Sequence, residues 1–220
     1  MNSYLFWGSV SSLFFLSAVP AIGHQLWVIY ARKRLRARGE LKAEATQSIS
    51  VNQVFSSYCG VYSFFLFGVV LDPPDIFLTI PRFVAAVLLY WVLSEIYRER
   101  RDRSSRLALW ACTISALIPI ALVIAGVRTS TGSRSVSEGI VLAATVMMAQ
   151  GCLAQYRMLR RAGHRGAVSL PMHAMLYGKD FSGLMFGLQL GAGAWSIIFM
   201  HASNLVMRFP ILYAYLRLPK

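Results

Sequence analysis

The chain has 220 residues, 56% of them hydrophobic and 14% charged, with a formal net charge of +13. A soluble domain of this length carries more charge and a polar face on each helix, and a mean hydropathy of +0.54 excludes one. The basic excess does not indicate a nucleic-acid binder. Lys and Arg sit in short stretches between apolar blocks of roughly 17–25 residues, the length that crosses about 30 Å of hydrocarbon. Composition therefore predicts an all-α integral membrane protein. Cys59, Cys112 and Cys152 lie in apolar surroundings without paired spacing, which suits small buried hydrophobes rather than a disulfide or metal set.

The first span is expected at about residues 4–30. It reads as a retained helix, because no Lys or Arg precedes it and no small-residue cleavage pattern follows it. After a basic loop with Arg32, Lys33, Arg34, Arg36, Arg38 and Lys42, the second span covers about residues 50–71. A turn, DPPD at 72–75, leads to a third at about 76–96, and the basic segment YRERRDRSSR follows. The fourth span is expected at about 107–126 and the fifth at about 136–158, ending in RMLRRAGHRG. Lys179 and Asp180 interrupt the next apolar block, so the sixth span is set at about 181–199 and the seventh at about 202–215. The basic residues fall in loops one, three and five and in the tail, whereas the other loops hold only Arg128 and Arg134. The positive-inside rule then puts the N-terminus outside and the C-terminus in the cytoplasm, as in a bacterial inner (plasma) membrane.

Two parts of the chain resemble one another. PRF at 81–83 in the third span corresponds to RFP at 208–210 in the seventh, and both helices end in aromatic stretches, LLYW and LYAY. Gln25 and Gln155 each precede a Tyr and a run of Arg or Lys, and each basic loop resolves into a similar helix start, QSISV at 47–51 and AVSLP at 167–171. The expected layout is therefore three spans, a connecting span, and three spans again. Two three-span units joined by one helix have the same orientation, which makes the repeats parallel. Residues 1–98 form the first repeat, 99–134 the basic loop with the linker helix and outer connection, and 135–220 the second repeat.

This 3+1+3 layout resembles the PQ-loop superfamily, which includes the SWEET sugar transporters. QYRMLRRAGHRGAVSL at 155–170 is similar to the family's Pro-Gln, basic stretch and Leu-Ser step at full length, and the first repeat matches with an insertion in its basic loop. FGVVLDPPDIFLTIPRF is similar to the family's second-to-third-helix hairpin. The resemblance implies alternating access of two three-helix units around a central site, with Pro20, Gln25, Pro81, Gln155 and Pro210 as hinge or gate positions. It places Arg82, Arg208, Phe64 and Trp195 near the substrate. The chain departs from the pattern, because His24 and Ala154 stand where the motif has proline. Arg82 stands at the place of the asparagine that lines the sugar site, which points away from a neutral sugar.

Arg82 and Arg208 carry the sharpest expectation. A guanidinium at membrane depth is costly and faces an interior or wet cavity by default, and arginine suits bidentate recognition of carboxylate or phosphate. Two readings stand. The pair lines a central cavity, or each side chain snorkels from a position about two turns into its helix or pairs with Asp72, Asp75 or Asp180. Lys179 and Asp180, adjacent and so about 100° apart on a helix, are not expected to pair; they read as a helix-start pair or a gate contact. Glu95 is expected to pair with Arg98 or Arg101. The small-residue run GLQLGAGAW at 187–195 suits close helix packing. His24, His173 and His201 lack metal-ligand spacing, and no catalytic triad, phosphate-binding loop or paired catalytic carboxylates occur. No enzyme activity and no cofactor are expected. The expected function is transport of a small polar, possibly anionic solute, with a non-transporting receptor or partner-binding protein on the same scaffold as the alternative. Partners would be membrane lipid and that solute, not nucleic acid, and a homo-oligomer is compatible with the sequence.

Overall fold

The computed structural model describes residues 3–70, 76–126, 134–191 and 194–219. The DPPD turn with Asp72 and Asp75, and the outer connection with Arg128, lie outside the described residues. Within them the chain is all helical: α1 (Ser3–Ala37), α2 (Val51–Val70), α3 (Ile76–Arg100), α4 (Arg103–Ser115), α5 (Ile118–Ile124), α6 (Arg134–Ala162), α7 (Leu170–Leu190) and α8 (Trp195–Arg217). Four stretches are long and apolar enough to cross a membrane: Ser3–Ala37, Thr79–Arg100, Arg103–Ile124 and Trp195–Arg217.

Local chemistry sets the helix ends. Asp102 caps α4 by accepting the Ser105 N–H at 3.0 Å, and Ser169 caps α7 by accepting the Met172 N–H at 3.2 Å, which satisfies donors that an isolated helix start leaves orphaned. The break between α4 and α5 precedes Pro119, which has no N–H to offer the preceding turn. There the backbone tightens, with Leu117 N–H donating to the Ile114 carbonyl at 3.1 Å. Pro20, Pro81 and Pro210 instead lie inside α1, α3 and α8.

The sixth and seventh helices differ from expectation. The sixth begins at Leu170, not near Phe181, and the seventh at Trp195. Lys179 and Asp180 are the tenth and eleventh residues of a 21-residue helix, because their charges are met inside the protein and need no helix end. The small-residue run is divided. Gly187 is buried, and a Cβ there would lie 3.0 Å from Ile198 Cγ1, so the helices approach closely at that point. Gly191, at φ 76, ends α7 in a conformation glycine adopts without strain.

The helix pairings fall into two matching sets. α1 packs on α3 and α7, α6 packs on α8 and α2, α2 packs on α3, and α7 packs on α8. Exchanging α1, α2 and α3 for α6, α7 and α8 returns the same set. Among the described residues α4 and α5 touch only α2, α3 and each other. The α2–α6 seam is tight, since a Cβ on Gly151 would fall 1.9 Å from Ser56 Oγ and 3.0 Å from Gln53 Cα. The main core joins Ile22, Leu26, Ile29, Val54, Leu89, Leu93 and Ile96. Ala18, Ala21, Met172 and Leu176 pack where α1 meets α7. Outside this core, Leu13, Trp27, Leu107, Trp110, Ile114, Val146, Val206 and Phe209 are exposed, an apolar perimeter that suits contact with lipid.

Candidate functional site: a buried charge cluster beside an axial cavity

In the middle of the bundle α7 and α8 bring five polar side chains together. His201, Asn204 and Arg208 recur at i, i+3 and i+7 and so share one face of α8, opposite Lys179 and Asp180 of α7. Asp180 is fully buried and is the hub. Its Oδ2 accepts Arg208 Nε at 3.1 Å. Its Oδ1 meets Lys179 Nζ at 3.0 Å, His201 Nδ1 at 3.1 Å and Asn204 Nδ2 at 3.4 Å. Lys179 and Asp180 therefore do pair, against expectation: the flexible four-carbon stem of lysine spans the angle that separates adjacent positions. The ring of His201 lies over Gly183, where a Cβ would meet it at 2.4 Å.

Two cations against one carboxylate leave the cluster with an excess positive charge when His201 is neutral. Hydrogen-bonding capacity is also left over. Arg208 Nη1, Asn204 Oδ1 and, one face-repeat along α7, His173 Nδ1 are buried without a partner. Orphaned buried polar atoms are rare and ask for an explanation. Arg208 and Lys179 line a cavity of about 50 Å³ together with Phe15, Ala18, Ile22, Ser57, Ala85, Met148 and Leu176, so all six helices of the two packing sets contribute to its wall.

Arg82 approaches from the other side. Its guanidinium sits over the Phe15 ring at 4.1 Å and faces the Phe64 ring at 5.4 Å, and Phe15 is itself part of the cavity wall. Arg82 is partly buried. Arg208 is neutralised by a carboxylate, and Arg82 has two aromatic faces among its contacts. Of the alternatives for Arg208, two are observed together: it borders the cavity and it pairs with Asp180. Snorkelling is removed, since α8 begins at Trp195 and places Arg208 about 20 Å along the helix at 2% exposure. Trp195, 44% exposed at the start of α8, is not brought to the cluster. Pairing of Arg82 with Asp72 or Asp75 lies outside the described residues.

A second, smaller cavity of about 10 Å³ lies next to the first and shares Leu89 and Met172 with it; Gln25, Gln53, Gln155 and His173 line it. Beyond it the two glutamines make reciprocal contacts. Gln25 Nε2 donates to the Ala167 carbonyl at 2.5 Å, and its Oε1 accepts the Ser169 N–H at 2.9 Å. Gln155 Nε2 donates to the Ser48 carbonyl at 2.8 Å, and its Oε1 accepts the Ser50 N–H at 2.7 Å. Each side-chain amide therefore reads the carbonyl of residue n and the N–H of residue n+2, as a neighbouring backbone would. The two loops touch through the Ala167 N–H and Ser48 Oγ at 2.6 Å, and His24 Nδ1 lies 2.9 Å from Ser169 Oγ. Both glutamines are at least 97% buried, at the end of the bundle that carries the basic loops.

Ion pairs hold that end. Glu95 pairs with Arg98 at 3.1 Å, as expected, and also with Lys33 and the Tyr30 hydroxyl. Glu99 accepts Arg36 Nη1 at 2.7 Å and the N–H groups of Ala45 and Thr46 at 2.8 Å. Sequence reasoning missed Asp180 as the hub, together with His201, Asn204 and His173. The i, i+3, i+7 polar spacing in an otherwise apolar α8 is the signal that would have found the α8 part. No protein-family model matches the chain, and no curated protein matches it.

Proposed function

We propose that the chain is an integral membrane transporter that moves a small polar, anionic solute by rocking two parallel three-helix repeats, α1–α3 and α6–α8, with α4 and α5 together as the linker span. On this reading α2, α6 and α7 are spans as well, which gives seven in all. The basic loops then face the cytoplasm, and the membrane is a bacterial inner membrane. Support for the repeats comes from the interchangeable helix pairings and from the two glutamines, which read equivalent backbone pairs in the opposite repeat. The resemblance to the PQ-loop superfamily is part of the same proposal, with Gln25 and Gln155 as gate residues.

One observation carries the choice of solute. The cavity between the repeats is bordered by Arg208 and Lys179, which outnumber their carboxylate, and Arg208 Nη1 and Asn204 Oδ1 have no protein partner. An anion in the cavity would satisfy the excess charge and the orphaned Arg208 Nη1 donor. A 50 Å³ cavity is too small for a solute of any size, which suits a closed state that must widen to load.

The test is uptake of a panel of small carboxylates and phosphate into proteoliposomes. Arg208→Ala is expected to abolish uptake, Arg208→Lys to keep the charge and the fold while weakening it at least tenfold, and Arg82→Ala to reduce it. Unchanged uptake of every anion by all three variants removes the site assignment. Protein that takes up none of the panel favours a non-transporting receptor on the same scaffold.

A further inference from the structure

The largest concave feature among the sites described lies not on the axis but at the basic end, beside the two glutamines. It is a cavity of about 500 Å³ lined by Gln47, Ser50, Arg100, Asp102, Arg157 and Arg161 among others. Three cations and a single carboxylate line it; that carboxylate is already engaged as the α4 cap through the Ser105 N–H at 3.0 Å, and Glu44 and Glu99 act on Arg100 from outside the lining. Arg100 is anchored: its Nη2 donates to the carbonyls of Thr46 and Ile49. Arg157 and Arg161 are spaced i, i+4 and so project from one side of α6. Both are exposed, and neither has an ion pair or side-chain hydrogen bond among the described residues. The opening lies where the candidate spans Thr79–Arg100 and Arg103–Ile124 end and begin, the level at which phospholipid headgroups sit.

We infer that this cavity is a binding site for a phosphate-bearing anion, held by Arg157 and Arg161 against the anchored Arg100, and independent of the axial site. Its size accommodates a phosphodiester with its glycerol or a free di- or triphosphate, and the fixed Arg100 with two unpaired guanidiniums supplies bidentate recognition of phosphate oxygens. Because the wall includes Ser50, whose N–H is held by Gln155 at 2.7 Å, an occupant would tie α6 to the start of α2 and to the α3–α4 turn, and so favour the closed basic end. Headgroup and free phosphate share this chemistry, so the experiment must separate them.

The full-length protein, purified in neutral detergent, would be titrated with phosphatidylglycerol in mixed micelles, with inorganic pyrophosphate, and with phosphatidylcholine as the uncharged control, reading thermal unfolding and fluorescent-lipid displacement. Phosphatidylglycerol or pyrophosphate is expected to raise the unfolding temperature with saturation, and phosphatidylcholine to have no effect. Attraction of roughly 1 kcal/mol per basic residue predicts a loss of affinity of about fivefold for each of Arg157→Gln and Arg161→Gln, and about 25-fold for the double variant. A response to pyrophosphate alone assigns the site to a free phosphate, and a response to the lipid alone assigns it to the headgroup. The charge-matched variant Arg34→Gln/Arg38→Gln, on exposed residues away from the cavity, should bind as the parent does. Equal weakening in that variant, or saturable binding unchanged in Arg157→Gln/Arg161→Gln, overturns the site.

Discussion

Asp180→Asn isolates the energetics of the buried cluster, because it removes one charge and almost no volume. In the parent, Asp180 is fully buried and accepts from Lys179 at 3.0 Å, Arg208 at 3.1 Å, His201 at 3.1 Å and Asn204 at 3.4 Å. The substitution leaves two cations without a counter-ion, one of them 2% exposed. Breaking one side of a buried pair costs about 3–5 kcal/mol, chiefly as the penalty of the charge left behind. Guanidinium or urea unfolding in detergent, followed by helical signal, should register a loss of that size. Adding Arg208→Met removes the stranded charge, so Asp180→Asn/Arg208→Met should be more stable than Asp180→Asn alone, a coupling that a double-mutant cycle measures directly. Unfolding of Asp180→Asn at the parent's midpoint, or a double variant whose loss is the sum of the two singles, would refute the assignment of Asp180 as counter-ion.

Two further predictions rest on separate parts of the fold. Gly151→Ala puts a Cβ 1.9 Å from Ser56 Oγ and 3.0 Å from Gln53 Cα; forcing α2 and α6 apart should cost about 1–3 kcal/mol, and a melt equal to the parent's would show that the seam is looser than described. At the basic end, the Asp102 carboxyl is held below the usual carboxylate range chiefly by the Ser105 hydroxyl, with burial opposing, and with the Ser105 N–H and Arg100 adding to the effect. A lowered folded-state pKa means stabilisation that is present above the unfolded value of about 3.9 and is lost as pH falls through the folded one. Asp102→Ala should therefore cost about 1 kcal/mol at neutral pH, with the gap to the parent closing in acid; a gap independent of pH would show that the cap does not depend on the charge.

Much of the architecture was readable from residue order because lipid imposes so few solutions on a chain. Of the first five apolar blocks four became single helices at the expected places and the fourth was divided into α4 and α5, and Gln25 and Gln155, picked out by the basic run that follows each, proved to make equivalent contacts. The misplaced sixth helix has a definite cause. A charged pair in an apolar block reads as a boundary when each helix is considered alone, and only the face of α8 that meets it reveals why Lys179 and Asp180 are tolerated at mid-helix. The sequence narrows the partner of Arg208 only to three candidates, Asp72, Asp75 and Asp180. Residues 180 and 208 are brought together by α7–α8 packing, and nothing local to either selects Asp180 over the other two. Arg82 and Arg208 looked equivalent by motif, and the aromatic rings of Phe15 and Phe64 around Arg82 were not foreseen as its neighbours together.

Alternating access is the central claim, and the most direct measurement is the two-sided accessibility of the axial cavity. Ser57 lines that cavity, so Ser57→Cys, in a background with Cys59, Cys112 and Cys152 replaced, reports which side a membrane-impermeant thiol reagent can reach. Labelling is predicted from both faces of oriented vesicles. Gln25→Ala/Gln155→Ala should raise the rate from the basic face, because the closure loses hydrogen bonds worth about 1 kcal/mol each. Labelling from one face only, unchanged when both glutamines are removed, would contradict the account.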